Sequence, residues 1–392
     1  MRVVLFSFRP HFGGAARSDV EFARRLKRHV DVAVVDPDGR CKDYADAVRQ
    51  AGIDYHILLP EVRSTVIGGR GQSWLYRLSR VMMSLPNLYR VRARMARVLG
   101  MLNPSVICSP NFKSAAMAAL SPSLRHVPLV LHLRGWYTPD MVPWYGKWIM
   151  RKHCAAVFAV SHATRIALRC VGVDPQIIHV LHNPIDVDDM LARAQRPLEA
   201  PLPQADRAVR ILLPSGIMWA KGQHTAIKAL VRILEGGHDA VLWLAGDFQA
   251  AGKNRYYLDE TKRLMERLGV AQRVEWLGLR RDVPQVMKAA TVVVLPTHSE
   301  GHPRSVLEAM SLGKPLATTP VGGILDMILP EVTGLFFEVE DDEGLACCVE
   351  RFVRDPEAAA RMGCQAQDYV RRSFRVEDQI RKALEVFRRI AI

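Results

Sequence analysis

Long apolar runs are absent from this sequence, and its cysteines show no pairing pattern. It has no stretch of about 18 consecutive apolar residues, the length that a membrane-spanning helix needs. The N-terminus passes from Arg2 directly into a strand-like run, without the apolar core and cleavage site of a signal peptide. The seven cysteines form no Cys-x-x-Cys pair, so neither a disulfide framework nor a zinc site is expected. We therefore expect a protein of the reducing cytoplasm, either soluble or peripherally attached to a membrane.

The motifs of hydrolases and metalloenzymes are missing as well. The sequence has no Gly-x-Ser-x-Gly elbow, which argues against a Ser/His/Asp hydrolase. Its 13 histidines show no metal-ligand spacing. The Asp-x-Asp pair at Asp36 ends a strand of the first half, and that at Asp186 follows an Asn-Pro turn near the linker, so we predict no metal site.

Composition and charge define a globular protein with an asymmetric charge. The 392 residues are 49% hydrophobic, which is enough for a sizeable core and suggests two or three domains. The net charge is +14, and residues 1–200 carry +13 of it, with 28 basic and 15 acidic side chains. A basic half beside a nearly neutral half favours contact between one face and an anionic surface, although a solvated arginine-rich surface gives the same pattern.

Short apolar runs alternate with helical patterns along both halves of the chain. This alternation is typical of βαβ units and predicts two α/β domains, each a doubly wound parallel sheet. Residues 191–210 carry Pro197, Pro201 and Pro203 among polar residues and are interpreted as a linker. In such folds a ligand lies outside the carboxyl ends of the strands, so facing domains would form a cleft. The predicted strands are Arg2–Ser7, Val30–Asp36, Tyr55–Leu59, Ser105–Ser109, Leu129–Leu133, Ala156–Val160, Ile178–Leu181, Val209–Leu213, Ala240–Ala245, Arg273–Leu277, Thr291–Leu295, Pro315–Thr318 and Leu335–Val339.

Arginine dominates the stretch from Glu61 to Gly100. The stretch has eight arginines, and Glu61 is its only acid. Apolar residues recur at helical spacing from Trp74 to Leu85. A helix with an apolar stripe flanked by arginines suits an anionic lipid surface, but the same stripe can face the protein core. Both interpretations are kept at this point.

The segment from Thr291 to Pro315 predicts an anion site. Its pattern is strand, loop, helix and strand, with the helix over Pro303–Leu312, because Pro303 suits the first helical position and Gly313 a helix stop. The free amides at Gly301 and His302 would face the strand ends and bind a phosphate. Glu308 would reach past the phosphates to a ribose diol, and Glu300 would face the group on their other side.

Glu300 and Glu308 stand in the sequence Ser-Glu-Gly-x-Pro-x-x-x-Leu-Glu-Ala-Met. This sequence resembles the paired-glutamate motif of family 4 glycosyltransferases (GT4, glycosyl transferases group 1), which are retaining enzymes of the GT-B fold. The resemblance covers most of the chain and is weakest between Asp38 and Asn103. It implies two Rossmann-like domains that face each other across a cleft. Further matching segments are Val160-Ser161, Asn183–Asp186, Arg273–Leu279, Pro320–Gly323 and Thr333–Phe336.

A second matching segment runs from Ser215 to Gly222. The resemblance implies that Lys221 contacts the donor diphosphate, where a fixed ammonium can stabilise the leaving phosphate without a metal. The family usually has a Gly-Arg before this lysine, and here Gly216 or Ile217 stands in place of the arginine. Arg304 and Arg281 are the candidates to replace it.

Two features of the first half also match the family. Gly13 and Gly14 follow the first strand, and by resemblance their loop contacts the acceptor or a donor phosphate, although a plain tight turn has the same residues. His132 matches a histidine that reaches into the cleft near the transferred sugar. A buried histidine of the core is the alternative.

The resemblance therefore implies a retaining glycosyltransferase that moves a hexose-type sugar from a UDP-sugar or GDP-sugar to a lipid-linked or envelope glycan. We expect no cofactor, no metal and no nucleic-acid partner, but possible contact between the basic first domain and an anionic membrane. The expected domains are residues 1–190 for the acceptor, a linker at 191–209 and residues 210–371 for the nucleotide sugar, with the helix 372–392 packing back on the first. The implied catalytic residues are Glu300, Lys221 and His132, and the implied donor-binding residues are Gly216, Lys221, Leu279, Gly301, His302, Pro303, Arg304 and Glu308.

Two alternatives are kept beside this interpretation, and two further classes are disfavoured. A non-catalytic sugar-nucleotide binder would explain the missing arginine, and a nucleotide-sugar 2-epimerase shares the fold. A metal-dependent, single-domain glycosyltransferase would use an Asp-x-Asp pair instead. A nucleic-acid binder is disfavoured because the arginines lack an accompanying ladder of aromatic residues.

Overall fold

The structure is a computed structural model that describes residues 1–9, 12–59, 90–247 and 253–391. The chain divides into two compact units. Unit 1 comprises Met1–Leu181 and Glu377–Ile392, and unit 2 comprises His182–Val376.

Unit 1 contains a seven-stranded parallel sheet with the strand order β3-β2-β1-β4-β5-β6-β7. Its strands are β1 (Arg2–Phe6), β2 (Asp31–Asp36), β3 (Asp54–Ile57), β4 (Val106–Ser109), β5 (Leu129–Leu133), β6 (Cys154–Ala159) and β7 (Ile178–Val180). The order reverses between β1 and β4, which is the doubly wound arrangement. The helices are Gly14–Leu26, Lys42–Gln50, 90–102, Phe112–Ala119, Trp144–Lys152, His162–Cys170 and the final helix Val376–Ile390.

Unit 2 repeats the design with a six-stranded parallel sheet in the order β10-β9-β8-β11-β12-β13. Its strands are β8 (Val209–Leu213), β9 (Ala240–Ala245), β10 (Val274–Gly278), β11 (Val292–Leu295), β12 (Leu316–Thr318) and β13 (Leu335–Phe336). Its helices are Val187–Ala194, Gln223–Glu235, Lys253–Arg267, Val283–Ala289, Arg304–Ser311, Asp342–Arg354 and Pro356–Ser373. Each of the thirteen predicted strands overlaps an observed one, and the prediction of two doubly wound domains is confirmed.

Both faces of the second sheet are buried, and this explains its continuous apolar strands. Along β8, Ile211 and Leu213 contribute to one hydrophobic cluster, while Leu212 contributes to the cluster on the opposite face. Side chains that alternate along a strand point to opposite faces of the sheet. The strand positions are therefore fixed by burial, and the loops at the strand ends are left to carry polar residues.

The predicted domain boundaries differ from the observed division. Unit 2 begins at His182, and the predicted boundary at residue 190 falls inside the helix Val187–Ala194. Residues 191–209, predicted as a linker, belong to unit 2: the amide of Glu199 donates to Asp282 over 2.8 Å, and the Trp243 indole donates to the Pro203 carbonyl over 2.9 Å. The proline-rich segment therefore contains the end of a helix followed by turns, and tertiary hydrogen bonds attach it to unit 2.

Most of the arginine-rich stretch, residues 60–89, lies outside the described residues, and so does the apolar stripe from Trp74 to Leu85. The described helix 90–102 buries Val91, Met95 and Leu99 in the core of unit 1 and exposes Arg92. For this part of the stretch, the apolar face contacts the protein core. Among the helices that the structure describes, none is both long and apolar enough to cross a bilayer.

Candidate functional site

The first component of the site is the turn that follows β8. A short 3-10 turn, Trp219–Lys221, ends at Gly222, which also caps the helix Gln223–Glu235. Gly222 has a φ of +69°, and a Cβ at this position would lie 1.8 Å from the carbonyl oxygen of Pro296. Only glycine tolerates both conditions without strain. The glycine therefore holds the turn that carries Lys221 directly against the end of β11.

The second component is the loop between β11 and the helix Arg304–Ser311. The amide of His298 and the hydroxyl of Thr297 both donate to the carbonyl of Ala220, over 2.9 and 2.8 Å. These bonds join the two loops at the carboxyl ends of the neighbouring strands β8 and β11. Residues that are 79 positions apart in the sequence thereby become neighbours.

Lys221 and Glu300 form an ion pair at this junction. The Lys221 ammonium donates to Glu300 Oε1 over 2.5 Å, and the side chains are 23% and 12% exposed. The carbonyl of Glu300 accepts from the Gly323 amide over 3.0 Å, which fixes the loop from its other side. The two predicted catalytic groups of this unit are therefore in contact, in a partly buried setting where a charge pair is only weakly screened.

The N-terminus of the helix Arg304–Ser311 has an open set of amides. Its cap residue Pro303 provides no side-chain hydrogen bond. Among the described residues, the amides of Gly301 and His302 donate to no carbonyl or side chain. An uncapped N-terminus with free amides is suited to an anion. The observed helix agrees with the predicted Pro303–Leu312 to within one residue at each end.

Arg304 and Glu308 lie one turn apart on the same helix. Arg304 Nε is 3.6 Å from Glu308 Oε1, and both side chains are partly exposed. The helix therefore presents a guanidinium in its first turn and a carboxylate one turn further along. Glu300 and Glu308 flank the free amides, as the sequence predicts.

His302 differs from a surface ligand because its ring is buried. It is 3% exposed, stacks on His182 with ring centroids 4.9 Å apart, and has no hydrogen-bond partner for either ring nitrogen among the described residues. Burial lowers its pKa well below the usual value, and the neighbouring His182 adds to this effect. The side chain is therefore neutral at pH 7, and only the backbone amide is available to an anion.

The remaining predicted donor residues occupy the rim of unit 2. The Gly216 carbonyl accepts from Gln223 Nε2 over 3.0 Å, and a Cβ at Gly216 would lie 3.3 Å from the Asp247 carbonyl. Leu279 is 63% exposed directly after β10. Of the two candidates for the missing arginine, Arg281 is exposed at the start of the loop after β10, whereas Arg304 lies beside the free amides.

In unit 1, Gly13 caps the helix Gly14–Leu26 without a side-chain hydrogen bond, and both glycines are exposed. A Cβ at either position would meet no atom within 4 Å among the described residues. Steric exclusion of a side chain therefore does not explain these two glycines, and their predicted contact with a ligand stays a prediction.

His132 lies in the core of unit 1. It is 2% exposed within β5, between the rings of Phe22 and Phe158 at 5.1 and 5.4 Å. Burial lowers its pKa well below the usual value, and Arg134 and Arg9 lower it further. The aromatic rings enclose the side chain, as in the alternative of a core histidine, and its role near the transferred sugar stays a prediction.

Sequence reasoning missed the buried charge cluster beside His132. Asp19 accepts from Arg134 Nε over 2.7 Å and from Arg9 Nε over 2.6 Å, and the Asp19 and Arg134 side chains are 7% and 6% exposed. No spacing in the sequence indicates this cluster, because its members come from two loops and a helix. The cluster ties the helix Gly14–Leu26 to the carboxyl ends of β1 and β5.

Two doubly wound units, one of them with an ion pair and free helix amides at its strand ends, define the GT-B class of α/β protein. The Anabaena protein Alr3699/HepE, crystallised in complex with UDP and glucose, has the same fold with a TM-score of 0.82 and 20% identity, over 99% of this chain and 100% of that one. Residues 201–369 match the family model for Glycosyl transferases group 1, and residues 12–189 match that for Glycosyltransferase Family 4. The chain belongs to these glycosyltransferases, and the resemblance drawn from its motifs is confirmed.

Curated relatives match parts of the chain. An uncharacterized glycosyltransferase of Methanocaldococcus jannaschii, MJ1607, is 33% identical over 37% of this chain and 36% of that protein. The UDP-Gal:alpha-D-GlcNAc-diphosphoundecaprenol alpha-1,3-galactosyltransferase of Escherichia coli is 23% identical over 72% of this chain and 74% of its own length. The first curated relatives are matched over about a third to about half of their length.

Proposed function

We propose that the chain is a retaining glycosyltransferase that moves a hexose-type sugar from a nucleotide diphosphate sugar to a lipid-linked or envelope glycan. The observation that carries the proposal is the Lys221–Glu300 ion pair beside the free amides of Gly301 and His302. Family membership supports transfer chemistry, and the contacts of these residues support its location in unit 2.

The diphosphate would bind where three positive contributions meet. Lys221 supplies an ammonium, the amides of Gly301 and His302 supply hydrogen-bond donors, and the N-terminal end of the helix supplies a partial positive charge. Arg304 stands in the first turn of that helix. We assign to it the role of the arginine that the family usually has before the lysine.

Glu308 would hold the ribose. Its carboxylate lies beyond the free amides on the same helix, and at 1.5 Å per residue the step from Arg304 is about 6 Å along the axis. An ionised carboxylate accepts hydrogen bonds from both hydroxyls of a vicinal diol. Arg304 Nε lies 3.6 Å from this carboxylate and helps to orient it.

Glu300 would exchange its partner when the donor binds. Without a ligand it neutralises Lys221, and a bound diphosphate would compete for the same ammonium. The freed carboxylate would then support the donor sugar and the positive charge that develops on its anomeric carbon. In the transfer, the bond from that carbon to the β-phosphate oxygen breaks, a bond to the acceptor oxygen forms on the same face, and the hydroxyl proton passes to the leaving phosphate.

The proposed donor is a UDP-sugar, and a GDP-sugar is the alternative within the same site. The crystals of the Anabaena protein with UDP and glucose support the first. Transfer is proposed to need no metal, because Lys221 and the amides provide the charge stabilisation. Activity should therefore persist in EDTA, and strict dependence on manganese would favour the metal-dependent class.

The proposed acceptor is lipid-linked, as it is for the Escherichia coli relative. The helix Trp144–Lys152 of unit 1 supports contact with a membrane. Its exposed face carries Trp144 and Trp148, which are 80% and 40% exposed, together with Lys147. Tryptophan and lysine on one face suit the boundary between headgroups and acyl chains of an anionic membrane.

The proposed location is the cytoplasmic face of that membrane. All seven cysteines are free, which agrees with a reducing compartment. His132 stays a predicted positioning residue for the sugar, now through the packing of β5, and Gly13 and Gly14 stay the predicted loop for an acceptor or phosphate.

A panel of UDP-sugars and GDP-sugars tests the proposal. The purified chain is incubated with each donor and with a membrane extract as acceptor, and products are detected by intact mass. We expect one donor to give a glycosylated lipid whose anomeric configuration, read by NMR, matches that of the donor. Donor binding without any product would favour a non-catalytic binder, and conversion of the donor without acceptor would favour a 2-epimerase.

A further inference from the structure

Three potential metal ligands converge outside the proposed donor contacts. His224 lies in the first turn of the helix Gln223–Glu235, His298 in the loop after β11, and Glu340 in the segment between β13 and the helix Asp342–Arg354. One ligand atom from each lies within 4.8 Å of the others. The sequence separates these residues widely, and this is why no ligand spacing could be read from it.

Both imidazoles present a nitrogen that lacks a partner. The Nε2 atoms of His224 and His298 are buried and form no hydrogen bond with the described residues. His298 Nε2 is 4.0 Å from Glu340 Oε1, beyond hydrogen-bond distance. Buried polar atoms in native proteins normally have a partner. Two buried nitrogens without a partner, next to one carboxylate, therefore indicate that a bound group is their partner.

The other nitrogen of His224 is already held. His224 Nδ1 lies 2.8 Å from the Tyr257 hydroxyl, which also accepts from the His224 amide over 3.2 Å. Histidines that bind metals usually have their second nitrogen fixed in this way, since this orients the ring and sets the tautomer. Trp219 packs against His298 with ring centroids 4.0 Å apart and limits the rotation of that ring.

We propose that His224, His298 and Glu340 bind a divalent transition metal ion, with zinc as the best match. Two imidazole nitrogens and one carboxylate oxygen are a ligand set that zinc takes in tetrahedral sites, with water in the fourth position. The ligand atoms must draw together by about 1 Å to reach zinc bond lengths of about 2.0 to 2.2 Å. Glu340 allows this movement, because its side chain is 57% exposed.

The charge of the ligand set also supports a cation. The carboxylate of Glu340 supplies the negative charge that balances part of the ion. Neither Lys221 nor Glu300 belongs to the ligand set, so the ion would brace the loops that carry them and take no part in the transfer step.

Zinc titration of the full chain tests the site. The metal-free protein is titrated by calorimetry in competition with a chelator, and cobalt is added separately to look for the visible bands of a tetrahedral site. We expect one zinc ion per chain. Glu340→Gln and His298→Gln should each weaken binding by more than about 100-fold, since outer contacts alone contribute about 10 to 100-fold. Tyr257→Phe should weaken it by about 10-fold.

Two controls separate this site from adventitious binding. Glu343→Gln alters an exposed acid near Glu340, and His238→Gln removes a histidine of the same unit that is not in the cluster. Both should bind zinc as the wild type does. Equal zinc binding by the wild type and Glu340→Gln, or no zinc binding together with a thermal midpoint that zinc leaves unchanged, would contradict the proposed site. The readout is metal binding, so its failure leaves the proposed transferase function untouched.

Discussion

Glu308 shows how one residue type acquires a role from its place on a helix. It lies one turn beyond Arg304, whose guanidinium orients its carboxylate at 3.6 Å. The amides before the helix are free for phosphates, so the group that reaches Glu308 is the one attached to those phosphates. Its proposed partner is therefore the ribose diol, which is common to all nucleotide sugars.

Glu308→Gln is expected to raise the donor KM and to leave kcat nearly unchanged. A hydrogen bond to a charged group contributes about 1.5 to 3 kcal/mol, which corresponds to about 10 to 150-fold, and uniform binding appears in KM. The measurement is steady-state kinetics with the intact donor and with its ribose-deoxy analogue. If the analogue loses as much affinity for Glu308→Gln as for the wild type, Glu308 does not contact the ribose.

His302 provides a second test at a single position, through the pH dependence of stability. Burial lowers its pKa, whereas the unfolded chain takes up a proton below about pH 6.5. At low pH the unfolded state therefore binds more protons than the folded state, and the free energy of unfolding decreases as the pH is lowered. The His302→Phe variant lacks this contribution. When the pH is lowered from 7.5 to 5.5, its free energy of unfolding should therefore rise by up to about 1.4 kcal/mol relative to that of the wild type.

Urea unfolding at several pH values measures this gain. His182 and Asp326 also act electrostatically on the His302 ring, and both residues are present in the wild type and in His302→Phe. His29→Phe at an exposed position separates the removal of a histidine from the effect of burial. A constant difference between His302→Phe and the wild type across this pH range would contradict the buried neutral imidazole.

At this scale the sequence predicts identities better than contacts. The spacing of Glu300 and Glu308 around a helix start predicts their arrangement, because a helix has fixed geometry. The Lys221–Glu300 ion pair depends on hydrogen bonds between loops 79 residues apart, which no local pattern encodes. The sequence leaves two interpretations of His132 open, because a residue near the end of a strand can face either solvent or a helix, and here Phe22 of a helix covers it.

At the scale of elements, Gly222 joins the turn and the helix that position Lys221. Its positive φ costs a non-glycine residue about 1 to 2 kcal/mol, and a Cβ would also collide with the Pro296 carbonyl at 1.8 Å. The backbone conformation of this turn therefore requires a glycine at position 222, and so does the close contact between the turn and the Pro296 carbonyl at the end of β11.

Gly222→Ala should reduce the free energy of unfolding by about 3 kcal/mol or more, because strain and collision act together. Gly237→Ala is the matched control, since its φ is +82° but no atom lies within 4 Å of its Cβ among the described residues. The free energy of unfolding of Gly237→Ala should fall by only about 1 kcal/mol. Equal losses in urea unfolding would show that the contact with β11 has no energetic weight.

The helix Trp144–Lys152 is the element that the proposal assigns to the membrane. Trp144→Ser with Trp148→Ser should weaken binding to anionic vesicles of phosphatidylglycerol and phosphatidylcholine by at least about 10-fold, which corresponds to about 1.4 kcal/mol. Ile166→Ser, at a residue that is 58% exposed on another helix, is the control. Unaltered sedimentation of the double variant with vesicles would remove this helix from the membrane contact.

Helices and strands are predictable from the sequence where burial imposes a regular pattern of apolar residues. Strands such as β9 and β11 are continuous apolar runs because both faces of their sheet are covered, and the helix Arg304–Ser311 has clear start and stop residues. The segment 191–209 was misread because prolines mark an extended chain in a linker and in a packed connection alike. Its hydrogen bonds to Asp282 and from Trp243 are tertiary, and no local pattern reveals them.

At the scale of the whole molecule, charge and chemistry fall in different halves. The first 200 residues carry nearly all of the net charge, and the free amides with the Lys221–Glu300 pair belong to unit 2. The fold class follows from the alternation of strands and helices. The exact boundary of the units at His182 does not, because it depends on tertiary contacts. Within unit 1, Phe387 of the final helix contacts Phe158 with ring centroids 5.5 Å apart.

The central claim is that unit 2 transfers sugar by means of Lys221 and Glu300. The most direct measurement is sugar transfer together with nucleotide affinity for the wild type, Lys221→Met and Glu300→Gln, with the exposed Lys228→Met as control. Loss of one group that stabilises transition-state charge costs about 100 to 1,000-fold in kcat. We expect that loss in Lys221→Met together with weaker nucleotide binding, whereas Glu300→Gln should lose turnover but bind the nucleotide at least as tightly, because it frees the ammonium. Transfer at the wild-type rate by both variants would contradict the account.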